Sequence, residues 1–398
     1  MSRAGAWARL VARALTSVVL GVGLAACTSP DRVEVRPPAP PAVTAPLDVT
    51  YATASSTVAV VAMGLLEDPL NTFWELFSRS GPTSAWALVT PPGVADNGGL
   101  VVGSGSSLLA GFEPSQELEF SPLAASADQG ASWSPGLVPG ALSAVPDALA
   151  APSSAGLVAL VRNGGGEVLS SGGDPSTWSE LVGRGEIAAS SAGRSCGVGE
   201  LTAVTLDATR GALVGTTCTT PGVVGIFDRV AGAWHLAGGR LPASTSGSTT
   251  KVLRLVDVDG APDALVAVGD SASPELFALD TPSRAVPSGA WSSSPALSIP
   301  PGSRLVSTGV APDGGFVVLT SATGRPLALD VESGRGGAWQ ALPSPPEGTA
   351  AVAVSAAGEV DALVAAATVL IDWRLDTATA TWSKIATVTV PIQFGSSS

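Results

Sequence analysis

The chain has 398 residues, of which 45% are hydrophobic and 13% charged, so it carries enough apolar material for a large core and too little charge for a disordered chain. Its formal net charge is −13, and the only charged residues among the first 26 are three arginines, so the remainder is more acidic still. An acidic surface repels phosphate backbones and anionic lipid headgroups, which argues against nucleic-acid binding and against electrostatic docking on a membrane.

Residues 1–26 have the order of a secretory signal peptide. Three arginines precede an apolar run over residues 15–24, which is too short for a stable transmembrane helix. The run ends in Leu-Ala-Ala-Cys at Cys27, which resembles the lipobox of bacterial lipoproteins. The resemblance implies that Cys27 becomes the first residue of the mature chain and carries a diacylglyceryl anchor, so that the protein faces the extracytoplasmic side of the cell membrane. The alternative is an ordinary signal peptide with an incidental cysteine.

Residues 27–46 are polar and contain six prolines. Such a segment favours extended polyproline conformations and cannot build a core. We therefore expect a lipidated cysteine and a Pro-rich tether over 27–46, followed by one folded domain over 47–398.

Seven tryptophans recur in this domain at intervals of 43 to 57 residues, a period typical of a four-stranded propeller blade. They are Trp86, Trp133, Trp178, Trp234, Trp291, Trp339 and Trp382. Between them, turns rich in Gly, Asp or Pro precede runs of Val, Leu and Ala, such as 156–161 and 263–268, which are typical of strands covered on both faces. The sequence predicts an all-β fold, a seven-bladed β-propeller of four-stranded antiparallel blades. Six or eight blades would follow if ring closure borrowed a strand from 47–51 or 388–394.

One of these tryptophans ends a more specific motif. Ser126, Asp128, Gly130 and Trp133 stand in the pattern Ser-x-Asp-x-Gly-x-x-Trp, which resembles the Asp-box, or neuraminidase repeat, of sialidase-like propellers. The resemblance implies a structural role: Ser and Asp brace the turn between third and fourth strands, Gly permits its geometry, and Trp packs between blades. The other six tryptophans keep little of the motif.

The three cysteines divide into Cys27 and the pair Cys196 and Cys218. The pair flanks a predicted hairpin whose turn lies near residues 207–211, so the two cysteines would face one another across it. In an oxidising extracytoplasmic space we expect a disulfide that closes a loop of about 20 residues and contributes roughly 3 kcal/mol. A redox or metal-binding thiol pair is the alternative, although Cys-x-x-Cys spacing and a neighbouring histidine are both missing.

Residues for catalysis or metal binding are sparse. His235 is the only histidine, which excludes a histidine-rich zinc site, and we expect it to be a surface residue. The segment 257–263 alternates carboxylates around a glycine but lacks the further ligands of a calcium loop, so turn chemistry explains it. We therefore predict no metal and no cofactor.

Sialidase activity does not carry over with the resemblance. The only tyrosine, Tyr51, lies beside the tether, so the family's catalytic set finds no counterpart. A pair of carboxylates that hydrolyses glycosides is the remaining enzymatic alternative, and its candidate residues are Glu117, Glu119, Glu167, Glu180 and Glu186.

The sequence thus favours a lipid-anchored, non-enzymatic propeller that binds an envelope protein or glycan. A glycan-active hydrolase or lyase of the sialidase-like type is the alternative. An assembly factor for a membrane complex is a third hypothesis, which depends on analogy between folds alone.

Overall fold

The computed structural model describes most of the chain between Val43 and Thr389. Outside the described residues lie 1–42, 52–56, 65–71, 82–83, 91–95, 105–106, 115–122, 136–147, 151–155, 162–165, 172–177, 208–210, 242–247, 259–260, 270–273, 281–290, 312–313, 334–335, 356, 367 and 390–398, and in several strands only the backbone is described. The predicted signal peptide and Cys27 therefore lie outside the described residues. Strand β1 begins at Val43, four residues before the expected start of the domain.

The described structure is mostly antiparallel β-sheet, and strands that follow one another in the sequence are hydrogen-bonded neighbours. Within the described residues five sheets have four strands each. They are β1 (Val43–Tyr51), β2 (Thr57–Gly64), β3 (Thr72–Arg79) and β4 (Ala87–Leu88); β5 (Asp96–Ser104), β6 (Ser107–Pro114), β7 (Leu123–Ser126) and β8 (Ser134–Pro135); β9 (Ala148–Ala150), β10 (Val158–Val161), β11 (Glu167–Ser170) and β12 (Ser179–Gly183); β22 (Ser303–Val310), β23 (Phe316–Ala322), β24 (Ala328–Glu332) and β25 (Trp339–Leu342); and β26 (Thr349–Val354), β27 (Val360–Ala366), β28 (Val369–Asp376) and β29 (Thr381–Thr389).

A larger sheet of nine strands occupies the middle of the chain. Its strands are β13 (Val198–Asp207), β14 (Gly211–Cys218), β15 (Ile226–Val230), β16 (Ala233–Leu236), β17 (Thr250–Val258), β18 (Ala261–Val268), β19 (Glu275–Asp280), β20 (Ser292–Ser293) and β21 (Leu297–Ser298). Strands β13 to β16 form one meander and β17 to β21 another. The two are joined by only two residue pairs between β14 and β17, Thr217 with Lys251 and Cys218 with Thr250.

The small-apolar runs of the sequence form the second strand of their sheets. The runs predicted at 156–161 and 263–268 correspond to β10 and β18, which are paired on both sides. Val158, Leu160 and Leu265 are fully buried, as expected of strands covered on both faces.

Hydrophobic clusters lie between successive sheets. Val317 and Leu319 of β23, for example, pack with Val352 of β26 and Ala362 of β27. The same holds between the two ends of the domain, where Phe77 of β3 packs with sheet β26–β29. Burial of apolar side chains at about 25 cal/mol per Å² therefore couples each sheet to its neighbours.

The terminal strands stay in their own sheets. Strand β1 pairs with β2 and β29 pairs with β28, and among the described residues neither pairs with a strand from the other end of the chain. Of the segments from which a closing strand could be borrowed, 47–51 and 388–389 thus pair within their own sheets, and residues 390–394 lie outside the described ranges. The contacts described between the first and last sheets are made by side chains.

Two short helices were missed by the sequence analysis. They span Arg184–Ala189 and Ser191–Cys196, between β12 and β13. Each has only six residues, which is too short to show helical periodicity. Local signals exist for the second helix: the Ser190 hydroxyl accepts a hydrogen bond from Gly193 N at 2.9 Å, and Gly197 ends the helix in the left-handed region at φ 67°.

The disulfide between Cys196 and Cys218 is confirmed, with the two Cα atoms 5.1 Å apart. Its turn lies as predicted, since Asp207 pairs with Gly211 across the hairpin β13–β14. Cys196 itself is the last residue of the second helix, so the bond attaches the helical segment to the end of β14. Both cysteines are fully buried.

Candidate functional site

The turn between β7 and β8 is closed by the side chains of the Ser126 motif. The Ser126 hydroxyl accepts a hydrogen bond from Gly130 N at 2.7 Å and donates one to Asp128 Oδ1 at 2.8 Å. Asp128 in turn accepts hydrogen bonds from Ser132 N at 2.8 Å and from the Ser132 hydroxyl at 2.5 Å. These bonds to the Ser132 hydroxyl and backbone lower the pKa of Asp128 to about 2. The side chains of the motif therefore brace its own turn.

Gly130 and Trp133 join this turn to the preceding sheet. Gly130 has φ +89°, and a Cβ atom built there would lie 2.8 Å from Val89 Cβ, so both the conformation and the space favour glycine. The Trp133 indole donates a hydrogen bond from Nε1 to the Val89 carbonyl at 2.8 Å. Val89 is the residue directly after β4, the outer strand of the first sheet.

Two other repeat tryptophans occupy the same position. Trp291 Nε1 donates to the carbonyl of Ala237 at 2.6 Å, and Trp382 Nε1 donates to that of Pro343 at 3.2 Å. Ala237 directly follows β16 and Pro343 directly follows β25, each the outer strand of the preceding sheet or meander. The three indoles thus repeat one contact between neighbouring sheets.

Three of the remaining repeat tryptophans make other contacts, and the fourth, Trp178, is described here by its burial. Trp86 donates to Asp372 Oδ2 at 3.3 Å and Trp234 to Glu186 Oε1 at 2.9 Å, while Trp178 is almost fully buried. Trp339 packs against the cluster that contains Leu265 and Phe316, and its Nε1 has no hydrogen-bond partner in the structure. The regular spacing therefore marks a junction between sheets rather than one hydrogen bond.

A buried charge cluster, which we name the closure cluster, joins the first and last sheets. It consists of Arg79, Glu359, Asp361, Asp372 and Arg374. Arg79, the last residue of β3, places NH1 2.5 Å from Asp372 Oδ2 and NH2 2.8 Å from Asp361 Oδ2. Arg374 Nε lies 2.7 Å from Asp361 Oδ1, and its NH1 lies 3.3 Å from Glu359 Oε1. The side chains of Arg79, Asp361 and Asp372 are at most 1% exposed.

Trp86 completes the closure cluster. The Arg79 guanidinium carbon lies 5.0 Å from the centroid of the Trp86 ring, a cation–π distance. Burial and the neighbouring Asp361 raise the pKa of Asp372 to about 7, against the opposing effects of Arg79 and Arg374. The charges hold one another in place, because a buried ion is tolerated only when it is paired.

A second junction, between the β17–β21 meander and sheet β22–β25, brings three carboxylates together; we name it the acidic junction. Glu332 is the last residue of β24, as Arg79 is of β3, and it is 6% exposed. Its neighbours across the junction are Asp263 and Asp280, which are register partners in β18 and β19. Glu332 accepts backbone hydrogen bonds from Gly336 and Gly337, and its Oε1 has no hydrogen-bond partner in the structure. Burial, with the two aspartates, raises the pKa of Glu332 to about 7.

Sequence analysis missed both clusters, although a signal was present. Asp361 and Asp372 interrupt the apolar runs Val-Asp-Ala-Leu-Val and Leu-Ile-Asp-Trp. A charge inside a run that must be covered on both faces has to find a partner in another element. The sequence does not say which element supplies it.

The other sequence candidates lie on several elements or outside the described residues. His235 is exposed on β16, opposite Asp228. Glu180 is exposed on β12, and Glu186 accepts the Trp234 hydrogen bond and lies 3.4 Å from Arg229. Glu117 and Glu119 lie outside the described residues.

No metal site and no membrane-spanning helix occur in the described part of the chain. No group of three or more His, Cys, Asp or Glu side chains there could hold a metal ion. None of the helices in the described ranges is long and apolar enough to cross a membrane. The predicted calcium-like segment divides between β17 and β18, with residues 259–260 outside the described ranges.

The chain superposes on several solved structures at low sequence identity. A candidate 6-phosphogluconolactonase from Bacteroides uniformis superposes with a TM-score of 0.51 at 12% identity, covering 80% of this chain and 93% of that one. The fold is β-propeller-like. YCF48 from Cyanidioschyzon merolae matches at TM-score 0.43 and 11% identity, over 89% of this chain and 96% of that one. The Aleuria aurantia lectin matches at a TM-score of 0.40 and 11% identity, over 87% of this chain and 96% of that one. At these identities the likeness concerns the fold alone, and of these three only the first superposition reaches a TM-score of 0.5.

No protein-family model matches the chain, and no curated protein matches it. The residues described above, rather than a relative, therefore have to supply any argument about function.

The closure cluster predicts a large effect of removing its arginine. Arg79→Met keeps an apolar stem but leaves Asp361 and Asp372 buried without this cation, so we expect a loss of about 3–5 kcal/mol in the free energy of unfolding. Urea denaturation at pH 8 measures it. Arg325→Met, at an exposed arginine, is the matched control and should change stability by less than about 0.5 kcal/mol. Equal effects of the two substitutions would contradict the role of the cluster.

The acidic junction predicts greater stability in acid. The folded-state pKa of Glu332 is raised from 4.5 to about 7, so its favourable contribution is present below pH 4.5 and is lost as the pH rises through 7. Glu332→Gln keeps the size of the protonated carboxyl and removes its titration. We expect the variant to match the wild type near pH 5 and to exceed it near pH 8 by about 1–3 kcal/mol.

The measurement is the urea midpoint as a function of pH. Glu347→Gln, at an exposed carboxylate, serves as the control and should follow the wild-type curve. A Glu332→Gln curve parallel to that of the wild type from pH 5 to 8 would show that the carboxyl does not titrate in this window.

Proposed function

We propose that this chain is a lipid-anchored, seven-bladed β-propeller that binds an envelope protein or glycan on the extracytoplasmic side of the cell membrane without catalytic turnover. The count of seven is supported by the five four-stranded sheets and by the two meanders of the nine-stranded sheet, each of which we take as one blade. Closure of the ring is supported by the closure cluster, which connects the first and last of these units.

The motif at Ser126 supports membership in the Asp-box class of sialidase-like propellers. Its side chains brace the turn, and its indole reaches the neighbouring sheet, as the resemblance implies. The role is structural, so it bears on the fold and not on an activity.

The absence of turnover is inferred from where the perturbed carboxyls lie. Carboxyls with a pKa near 7 are the usual candidates for general acid–base catalysis. Glu75, Glu332 and Asp372 have such pKa values here, raised mainly by burial, but they are only 3%, 6% and 1% exposed. A substrate in solution cannot reach groups packed within or between sheets, so this burial is the observation that carries the proposal.

The anchor gives the first test. Cys27→Ala should block lipidation and maturation at that site, because the thiol is the group that receives the lipid. Detergent-phase partitioning of the two proteins expressed in a lipoprotein-processing host measures it, and we expect the wild type in the detergent phase and the variant in the aqueous phase or unprocessed. Equal partitioning would overturn the anchor.

Activity and binding give the second test. We expect the purified protein to turn over no sialoside, glucoside or peptidoglycan substrate, and crosslinking in intact envelopes to capture a specific partner. Hydrolysis abolished by one Glu or Asp substitution would instead establish the hydrolase alternative.

A further inference from the structure

The acidic junction and the closure cluster occupy matching places in the chain. The sequence Asp-Ala-Leu-Val-Ala occurs at 263–267 in β18 and again at 361–365 in β27. In both places the aspartate meets the residue that ends the third strand of the neighbouring sheet, which is Glu332 at the acidic junction and Arg79 at the closure cluster. The two junctions can therefore be compared position by position.

The comparison shows that carboxylates replace two arginines at the acidic junction. Arg374 stands opposite Asp361 in the register of β27 and β28, whereas Asp280 stands opposite Asp263 in that of β18 and β19. The arginine that ends β3 is likewise replaced by Glu332 at the end of β24. The buried aspartate is kept while both arginines become acids, so negative charge gathers at an interface where burial disfavours it.

The tryptophan of the acidic junction has also lost its hydrogen-bond acceptor. Trp339 stands seven residues after the end of β24, as Trp86 stands seven residues after the end of β3. The Trp86 indole donates to Asp372 of β28, but the corresponding register position on β19 holds Ala278. The buried Trp339 Nε1 has no hydrogen-bond partner in the described structure. A buried donor without a partner weakens an interface, so this junction lacks a second contact of the closure cluster.

The Glu332 carboxyl is held in this interface by its own turn. It accepts hydrogen bonds from the backbone of Gly336 and Gly337, and it pairs in the register with Trp339. A Cβ atom built at Gly336 would lie 2.6 Å from Asp280 Oδ1, so the turn and the opposite strand are in close contact. Either Glu332 keeps a proton, or a further negative charge is buried beside Asp280.

The described charged groups that act on Glu332 are both acids, Asp263 on β18 and Asp280 on β19. Burial, followed by these two aspartates, raises the pKa of Glu332 to about 7. The other charged side chains on the facing sides of the two described sheets are not among the groups that act on it. They are Lys251 and Arg254 on β17 and Asp330 on β24, while Arg335 of the turn lies outside the described residues.

We propose that the acidic junction is a proton-controlled seam, closed while Glu332 carries a proton and opened locally when that proton passes to water. On opening, the β17–β21 meander and sheet β22–β25 separate at this interface while the other junctions keep their contacts. The side chains that become exposed belong to the apolar cluster of Leu265 and Phe316, against which Trp339 packs. The seam depends on this junction alone, and it goes beyond the anchor and the partner of the proposed function.

The direction of the switch follows from the two protonation states. Glu332 has a higher pKa in the closed junction than its ordinary value of 4.5, so the proton stabilises the closed form. This stabilisation is fully present below pH 4.5 and is lost as the pH rises through about 7. We expect the equilibrium constant for local opening to increase by at least about 10-fold between pH 5 and pH 8.

Hydrogen exchange of the full-length chain, read by mass spectrometry of its peptides, measures this opening locally. Each rate is divided by the intrinsic exchange rate at the same pH, so that the pH dependence of the exchange chemistry cancels. Protection of the β18–β19 and β24–β25 hairpins should fall by at least about 10-fold from pH 5 to pH 8. Residues 123–135 are the internal control, because the pKa of Asp128 there is lowered to about 2 and the group does not titrate in this window.

Two substitutions separate Glu332 from the other buried carboxyls. Glu332→Gln has the size of the protonated acid and cannot ionise, so both hairpins should keep their pH 5 protection at pH 8. Asp280→Asn keeps Glu332 and removes one of the charges that face it, so the loss at pH 8 should be smaller than in the wild type. Glu347→Gln, at an exposed carboxylate, is the matched control and should follow the wild type.

The proposal is overturned if the two hairpins are equally protected at pH 5 and pH 8, or if Glu332→Gln loses protection as the wild type does. Should that variant fail to fold, a loss in Asp280→Asn equal to that of the wild type overturns it instead. A parallel loss in residues 123–135 would mean global unfolding and would also overturn it. A crosslinked envelope partner beside a junction that ignores pH would leave the proposed function standing, whereas local opening without any partner would keep the seam alone.

Discussion

The contact between Arg79 and the two aspartates Asp361 and Asp372 is the constraint on which the arrangement of the sheets depends. Strands β1 and β29 each remain within their own sheet, so among the described strands no backbone ladder joins the first sheet to the last. The apolar contact of Phe77 and Trp86 with the last sheet is not directional, and it would tolerate a small displacement. The guanidinium supplies direction, because its planar donors reach two carboxylates whose own positions are fixed by β27 and β28.

The acidic junction shows what happens when the same structural position carries the opposite charge. Arg79 and Glu332 both end the third strand of a sheet, and both meet aspartates of the preceding unit. Arg79 neutralises its aspartates, whereas Glu332 reduces repulsion from Asp263 and Asp280 by a raised pKa. One junction therefore contains ion pairs between described residues, and at the other burial raises the pKa of a carboxyl. A repeat architecture can contain both because each junction contributes its own interface energy.

The turns and the tryptophans perform the more regular part of the assembly. Trp133, Trp291 and Trp382 each donate to the carbonyl that follows the outer strand of the preceding unit. The full Ser126 motif occurs at only one of these turns, so its hydrogen bonds are not needed for the indole to reach its acceptor. The tryptophan is the residue of the motif that recurs, and it is also the residue that packs between sheets.

The sequence by itself determined the strand content, the position of the second strands and the disulfide. These follow from local information: a continuous Val, Leu and Ala run between turns has few alternatives to a covered strand, and Cys196 and Cys218 are brought together by one hairpin. Tertiary structure alone decided the partners of the buried charges, since Arg79 lies 282 residues from Asp361. It also decided that β13–β21 forms one sheet. Strand pairing within a hairpin is a local property, whereas contacts between sheets depend on how the whole chain winds, and no periodicity in the sequence specifies that.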